Sequence, residues 1–291
     1  MFSLATLALA VASVGLFALP ALMNRSMHAA VTSDRLPDLT VYTRPLPLSA
    51  AELAALAALP NVHAVEPRSF FGGRMYVGYR RAFVEVRGVP DFGRQRVNVV
   101  RVASGRAPRN GEVLTEVQNA NQGLLRVRSG ETVRIIGADR IVHRLRVSGE
   151  GRNLDGGQSV SGDDVIVFYA NTETVASLSG VGGFDTLAFR LADTRPAAVS
   201  ATGAAIRRTL AAVPGFTGFS ELPAVRASGD WPGKPGFDQF SKFFDVIAVL
   251  ALLSALVLIS NPSPRSLPSK HPRSRSWRRS AGAAGRLRSS T

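Results

Sequence analysis

The stretch "FDQFSKFFDVIAVLALLSALVLISN", Phe237 to Asn261, decides how the rest of the chain is read. Between Val246 and Ile259 the only polar side chain is that of Ser254. A core helix of a globular protein keeps a polar face, and this run has none. Phe243 and Phe244 extend its apolar surface, while Lys242 and Asp245 can reach a bilayer interface by snorkelling. Residues 239–261 are therefore expected to span a membrane.

The other end of the chain carries a second such run, "FSLATLALAVASVGLFALPALM", Phe2 to Met23, without a charge. A bilayer core of about 30 Å needs about 20 helical residues, which this segment supplies. A cleaved signal peptide is the competing reading, and "MHAA" at Met27 to Ala30 offers it a cleavage site. Nothing basic precedes the run, however, and the run is long for such a leader. A retained span over 1–23 is expected.

Two spans put both termini on one side. Lys270, Arg273, Arg275, Arg278 and Arg279 follow the second span and assign that side to the cytoplasm by the positive-inside rule. Residues 24–238 then lie outside. The expected fold class is a membrane protein with two transmembrane α-helices flanking an extracytoplasmic α+β domain, with a basic tail over 262–291. The expected location is a bacterial plasma (inner) membrane, multi-pass.

The charge is unevenly placed. The chain carries +14, but Asn24 to Asp238 holds 26 basic and 20 acidic residues, and residues 262–291 hold eight basic residues and no acid. The domain itself is only mildly basic. Its arginines between Arg74 and Arg146 alternate with Val, Leu and Ile, as on the wet faces of strands. No basic stripe with a recognition motif is present, so nucleic acid is not expected as a partner. The absence of cysteine excludes disulfides and thiolate chemistry and assigns no compartment.

Within the domain, "LSAAELAALAALPNV" reads as a short helix with a capping box of Ser49 and Glu52 and a stop at Pro60. Leu53, Leu56 and Leu59 form its apolar stripe. "RMYVGYRRAFVEVRGV" and "RQRVNVVRVASG" read as strands. "GETVRIIGADRIVHRLRVSGEG" reads as a hairpin: Val133, Ile135 and Ile136 face Ile141, Val142, Leu145 and Val147 across a Gly137–Ala138–Asp139 turn. "DDVIVFYA" and "TLAFRL" are further strands, and Pro196 opens a helix over "AAVSATGAAIRRTLAAV". No internal repeat is visible.

Motifs that carry chemistry are missing. His28, His63, His143 and His271 show no ligand spacing, so no metal site is expected. "GDWPGK", Gly229 to Lys234, is too short for a phosphate loop and has proline where Ser or Thr should hold magnesium. "GVGG" at Gly180 to Gly183 lacks the dinucleotide spacing. "DGGQSVSGDD", Asp155 to Asp164, does not place its carboxylates as a calcium loop does. No nucleophile elbow exists. Catalytic, cofactor-binding and metal-binding residues are expected to be none, and the chain is not expected to be an enzyme.

The order of elements, with "VASGRAPRNGEVLTEVQNANQGLLRVRSGETVRII" from Val102 to Ile136, resembles the FtsX-like (MacB-type) permeases of ABC transporters. The resemblance lies in a "GR-x-P-x-x-G-E-V" turn and strand, here Gly105, Arg106, Pro108, Gly111, Glu112 and Val113. A "G-[DE]-T-V" strand follows at Gly130, Glu131, Thr132 and Val133. Pro108 and Gly111 suit a turn, and Gly130 restarts the chain into a strand. "FDQFSKFFDVIAVLALLSALVLISN" resembles the family's second membrane helix. The resemblance covers residues 1–261. It implies a non-catalytic permease subunit with four membrane helices, a permease dimer, membrane lipids around it, and a separate cytoplasmic ABC ATPase as partner. It further implies that the ATPase drives motion of the outer domain for export or lipoprotein release. The alternative is a membrane-anchored extracytoplasmic interaction module without transport activity.

After Asn261 the resemblance stops. "PSPRSLPSKHPRSRSWRRSAGAAGRLRSST" contains Pro262, Pro264, Pro268 and Pro272, which forbid a continuous helix. It reads either as a polybasic tail for anionic headgroups or as the product of a frameshift near codon 261; the frameshift is the expected reading, and the chain is then a truncated, incomplete permease. Translating the gene beyond that codon in the other two frames tests the second reading. The expected result is a helix of the "E-x-x-x-x-K-A-x-G" type and two further apolar runs.

Overall fold

A computed structural model describes residues 2–77, 80–121, 126–159, 165–227 and 229–260. The basic tail therefore lies outside the described residues, as do residues 160–164 of the "DGGQSVSGDD" stretch.

Helix α1, Phe2–Ser33, continues past Met23 to the edge of the domain. Strand β1, Leu39–Leu46, follows, then helix α2, Ala50–Ala57, and the long strand β2, Val62–Val77. The capping box of α2 forms as expected: the Ser49 hydroxyl accepts the Glu52 N–H at 3.2 Å, and the Ser49 N–H donates to the Glu52 carboxylate at 2.6 Å. Strands β3, Arg80–Val89, β4, Arg101–Gly105, and β5, Glu112–Glu116, precede the one-turn helix α3, Val117–Asn121. Strands β6, Thr132–Ile136, and β7, Val142–Arg152, form the expected hairpin, with Val133 opposite Leu145 and Ile136 opposite Val142. Helix α4, Leu154–Ser159, strand β8, Val165–Asn171, helix α5, Thr172–Ser179, and strand β9, Phe184–Leu191, come next. Helix α6, Pro196–Leu210, starts at the expected proline; strand β10, Ala224–Val225, and helix α7, Lys234–Ser260, are the last described elements.

The strands build two bodies that share β2. Its first half, Val62 to Arg68, joins β9, β1 and β10 in an antiparallel sheet. Leu56 of α2 and Val199, Ile206 and Leu210 of α6 cover one face, against Val41, Leu187 and Phe189. The second half of β2, from Ser69, enters a closed barrel. The ring runs β2–β3–β8–β5–β7–β6 and returns to β2 through the pairs Arg74–Ile136 and Met75–Ile135. Closure removes the edges that an open sheet would expose. Met75, Val84, Val86, Val113, Ile135, Val147 and Phe168 fill the interior. Strand β4 pairs with β7 outside the ring.

One strand expectation fails in part. Of "RQRVNVVRVASG", only Arg101–Gly105 is a strand; residues 94–100 form a loop. The reason is competition for backbone groups. Side chains of Glu66 and Arg68 take the N–H and C=O groups of this segment that a ladder would have used. The alternating valines remain useful, because Val97 and Val100 are buried inward from the loop.

Helix α7 is long and apolar enough to cross a membrane, with a mean hydropathy of 2.1 over its most apolar 18 residues. Among the described residues no other helix meets that test. Its leucines and valines point outward, as with Leu250, Leu253 and Val257, while Ala248 and Ala255 are buried. Helix α1 packs against it.

The barrel interior carries the stability of its half. Phe168→Ala, at a fully buried ring, is expected to cost about 3–5 kcal/mol in urea unfolding. Ser49→Ala, which removes the capping box, is expected to cost about 1 kcal/mol.

Candidate functional site

The sheet carries α2 and α6 on one face. Its other face looks toward the barrel across a cleft of about 600 Å³, within the size range of small-molecule pockets. Thr40 and Tyr42 of β1, Thr186 and Ala188 of β9, and Arg68 to Phe70 of β2 form the sheet wall. Glu85, Arg87 and Val89 of β3, Tyr169 of β8, and Asn153 and Asp155 form the barrel wall. Leu36, Trp231 and Pro235 close the end where α1 arrives and α7 departs.

Three ionic clusters hold these walls. The first is the buried pair Glu66–Arg68, at 3.1 Å. The Glu66 carboxylate accepts the N–H groups of Arg96 and, at 3.0 Å, Val97; Arg68 donates to the carbonyls of Val97 and Asn98 at 2.9 and 3.0 Å. Burial pulls the Arg68 guanidinium below its ordinary range, and Glu66 opposes that shift. Among the described residues its Nε and Nη1 have no hydrogen-bond partner.

The second cluster is Asp38. It accepts the Arg190 Nε–H at 3.1 Å, the Leu191 N–H at 3.0 Å, and a hydrogen bond from the Arg226 guanidinium. Arg226 also donates to the Pro37 carbonyl at 2.9 Å. The segment leading to α7 is thus bound to the segment that leaves α1. Trp231 strengthens the junction, packing with Val31 and Leu36 and donating its indole N–H to Asn24 at 3.2 Å. Asp34 extends it, accepting from Arg101 at 2.9 Å.

The third cluster faces the cleft. Arg87 bridges Glu85 at 2.9 Å and Asp155 at 3.0 Å. Burial opposes its charge, but Asp155, Tyr169 and Glu85 outweigh that and raise its pKa. Behind it the Tyr169 hydroxyl donates to the Glu116 carboxylate, which also accepts the Asn153 N–H at 3.3 Å. Burial pushes both the Glu116 carboxyl and the Tyr169 phenol upward. The Tyr169 ring needs glycine beside it, since a Cβ on Gly156 would lie 1.9 Å from the phenol oxygen.

The motifs judged empty of chemistry receive structural positions. Gly180 of "GVGG" is the left-handed C-cap of α5, at φ +70°. Gly229 and Gly233 of "GDWPGK" occupy positive-φ turns before α7. His143 sits beside Asp139 at the hairpin tip, at 3.2 Å. Asp155 is the partner of Arg87, and among the described residues no group of three His, Asp or Glu residues could hold a metal ion. The "GR-x-P-x-x-G-E-V" residues turn out to form one device. Arg106 grips Glu112 in a bidentate pair, both contacts at 2.6 Å, and Glu112 accepts the Arg109 N–H at 3.0 Å. Gly105 has φ +75°, and a Cβ there would lie 2.3 Å from the Ser148 carbonyl, so strand β4 can approach β7 only with glycine at this point.

Sequence reasoning missed Asp38, Glu66, Arg68, Arg87, Arg226 and Trp231. Asp38 and Arg226 are 188 residues apart, Trp231 and Asn24 207 apart, and Glu66, Arg68 and Arg87 each also bind a group 29 to 68 residues away; no local pattern signals such contacts.

No family model matches the chain, and no curated protein matches it. Among solved structures, the periplasmic region of MacB from Actinobacillus actinomycetemcomitans is similar with a TM-score of 0.42 and 15% identity, over 67% of this chain and 91% of that one. The extracellular domain of the noncanonic ABC-type transporter YknZ from Gram-positive bacteria is similar with a TM-score of 0.41 and 11% identity, over 65% of this chain and 100% of that one.

Two outcomes test these clusters. Arg68→Met, which strands a buried carboxylate, is expected to cost about 3 kcal/mol and to speed amide exchange at Arg96 and Val97. The Arg106 clamp holds the Glu112 carboxyl down to about 2, against 4.5 for a free one. A lowered carboxyl stabilises the fold above the free value and loses that contribution as pH falls. The stability gap between the native chain and Glu112→Gln should therefore be full above about pH 4.5 and vanish toward pH 2 in urea titrations.

Proposed function

We propose that the chain is a permease-type component of an ABC transporter of the FtsX/MacB kind, with its α+β domain outside the membrane and moved by the helices that carry it. The observation that supports this most is the junction. Helices α1 and α7 pack together and meet the domain at one place, where Asp38–Arg226, Asp34–Arg101 and Trp231–Asn24 tie both to the cleft wall. A displacement of either helix would reach the sheet and the barrel through buried or part-buried bonds. The apolar, outward-facing surface of α7 supports a membrane setting, and Phe2–Met23 is the second span on this reading. The "GR-x-P-x-x-G-E-V" turn is consistent with the family resemblance, with Gly105, Arg106 and Glu112 each holding it in place.

On this reading the subunit performs no catalysis. A separate cytoplasmic ATPase supplies the energy, a second permease subunit completes the path, and lipids surround the spans.

The lack of native cysteine makes the topology directly testable. Arg140→Cys, at the exposed hairpin tip, should react with an impermeant maleimide in intact cells; Ser263→Cys should react only after permeabilisation. The reverse pattern, or release of the chain by alkaline extraction, overturns the membrane reading. Whether an ABC ATPase gene adjoins this one, and whether the missing spans are encoded downstream, separates a permease from an anchored interaction module.

A further inference from the structure

The outer wall of the barrel carries a surface that the permease reading does not use. Alternation along β2, β3, β6 and β7 sends Met75, Val84, Val133, Ile135 and Leu145 inward, so their neighbours face solvent. The register then aligns these outward residues in rows across four strands. One row reads Arg144–Arg134–Tyr76–Arg81, and the next Val142–Ile136–Arg74–Phe83. Four strands place each row over roughly 14 Å.

The chemistry of the rows is specific. Arg81 and Arg134 lie over the Tyr76 ring from opposite neighbouring strands, at 5.6 and 6.0 Å from its centre. Arg74 lies over Phe83 at 5.5 Å, and that ring is 59% exposed. Arg134 and Arg144 stand directly opposite each other, an arrangement that costs stability when no counter-charge is near. Among the described residues none of the four arginines has a carboxylate within ion-pair distance. The carboxylates of the neighbouring strand and turn, Glu85 and Asp139, are engaged by Arg87 and His143. Among the described residues the fold thus keeps a like-charge pair next to exposed aromatic and aliphatic side chains with no carboxylate paired to it.

We propose that this wall is a docking surface for a protein partner that presents carboxylates among apolar side chains. Charge complementarity requires an anion. Arginine forks over aromatic rings, flanked by Val142 and Ile136, match the composition of protein interface centres, which are rich in arginine and aromatic residues. A purely hydrophilic polyanion would leave Phe83 and Val142 uncovered. On the membrane reading the bilayer lies away from this wall: β3 ends at Val89, which lines the cleft together with Leu36 and Trp231, and Phe83 and Arg81 lie six and eight residues back along the strand, roughly 20–26 Å from Val89. That last step rests on the membrane reading of α7; the charge and aromatic argument does not.

The test uses the full chain in detergent and four probes. These are a short synthetic peptide interspersing glutamate with leucine, oligoglutamate, inorganic polyphosphate, and phosphatidylglycerol vesicles. Saturable binding of the mixed peptide is expected, tighter than to the other three. The double variant Arg134→Ala/Arg144→Ala should weaken it at least about tenfold. Polyphosphate or vesicles binding more tightly, no saturable binding, or binding indifferent to the two substitutions overturns the proposal. A second measurement needs no ligand. Arg144→Glu, placed opposite Arg134, should raise Tm by about 1–3 °C while abolishing peptide binding. An unchanged or lower Tm would show that the arginines serve the fold, and the proposal would fall. Neither measurement depends on topology or on an ATPase, so its failure leaves the permease reading standing.

Discussion

Strand β2 is the constraint on which the rest of the structure depends. It passes without a break from the open sheet into the closed barrel, pairing with β9 along its first half and with β3 and β6 along its second. A continuous hydrogen-bonded strand resists bending at the crossing point far better than a loop would. The two bodies therefore keep one relative direction, and the cleft between them has walls held in register. Glu66 and Arg68 lie at that crossing, and their side chains reinforce it by binding the loop over 94–100.

The second feature is the economy with which charge is buried. Asp38, Glu66 and Glu116 are nearly inaccessible, yet each carboxylate accepts several hydrogen bonds from backbone groups and arginine or tyrosine side chains. Buried carboxylates are tolerated on those terms, and each then acts as a tie between segments distant in sequence. Asp38 joins the ends of the domain, Glu66 pins the loop, and Glu116 backs the cleft. The outer barrel wall shows the opposite pattern, with arginines left facing one another on the surface.

Much of this was legible beforehand. Ser49 with Glu52 marks a helix start because a capping box is a local event, and it forms where expected. The hairpin over 132–147 was legible because alternation and a Gly-Ala-Asp turn specify register within one stretch. The apolar run of α7 needs only composition. Strands β1 and β10 and the loop over 94–100 were not legible in the same way. In the loop, the valine alternation is that of a strand, but distant side chains claimed its backbone groups.

The sequence by itself determined the local elements, the apolar helix, the uneven charge and the "GR-x-P-x-x-G-E-V" turn, since each depends on residues within a few positions of one another. Only the tertiary structure decided that the barrel closes, that Asp38 meets Arg226, and that Tyr76 lies between Arg81 and Arg134. Those outcomes depend on strand order and register, which arise from the packing of the whole core and leave no signature in any short window.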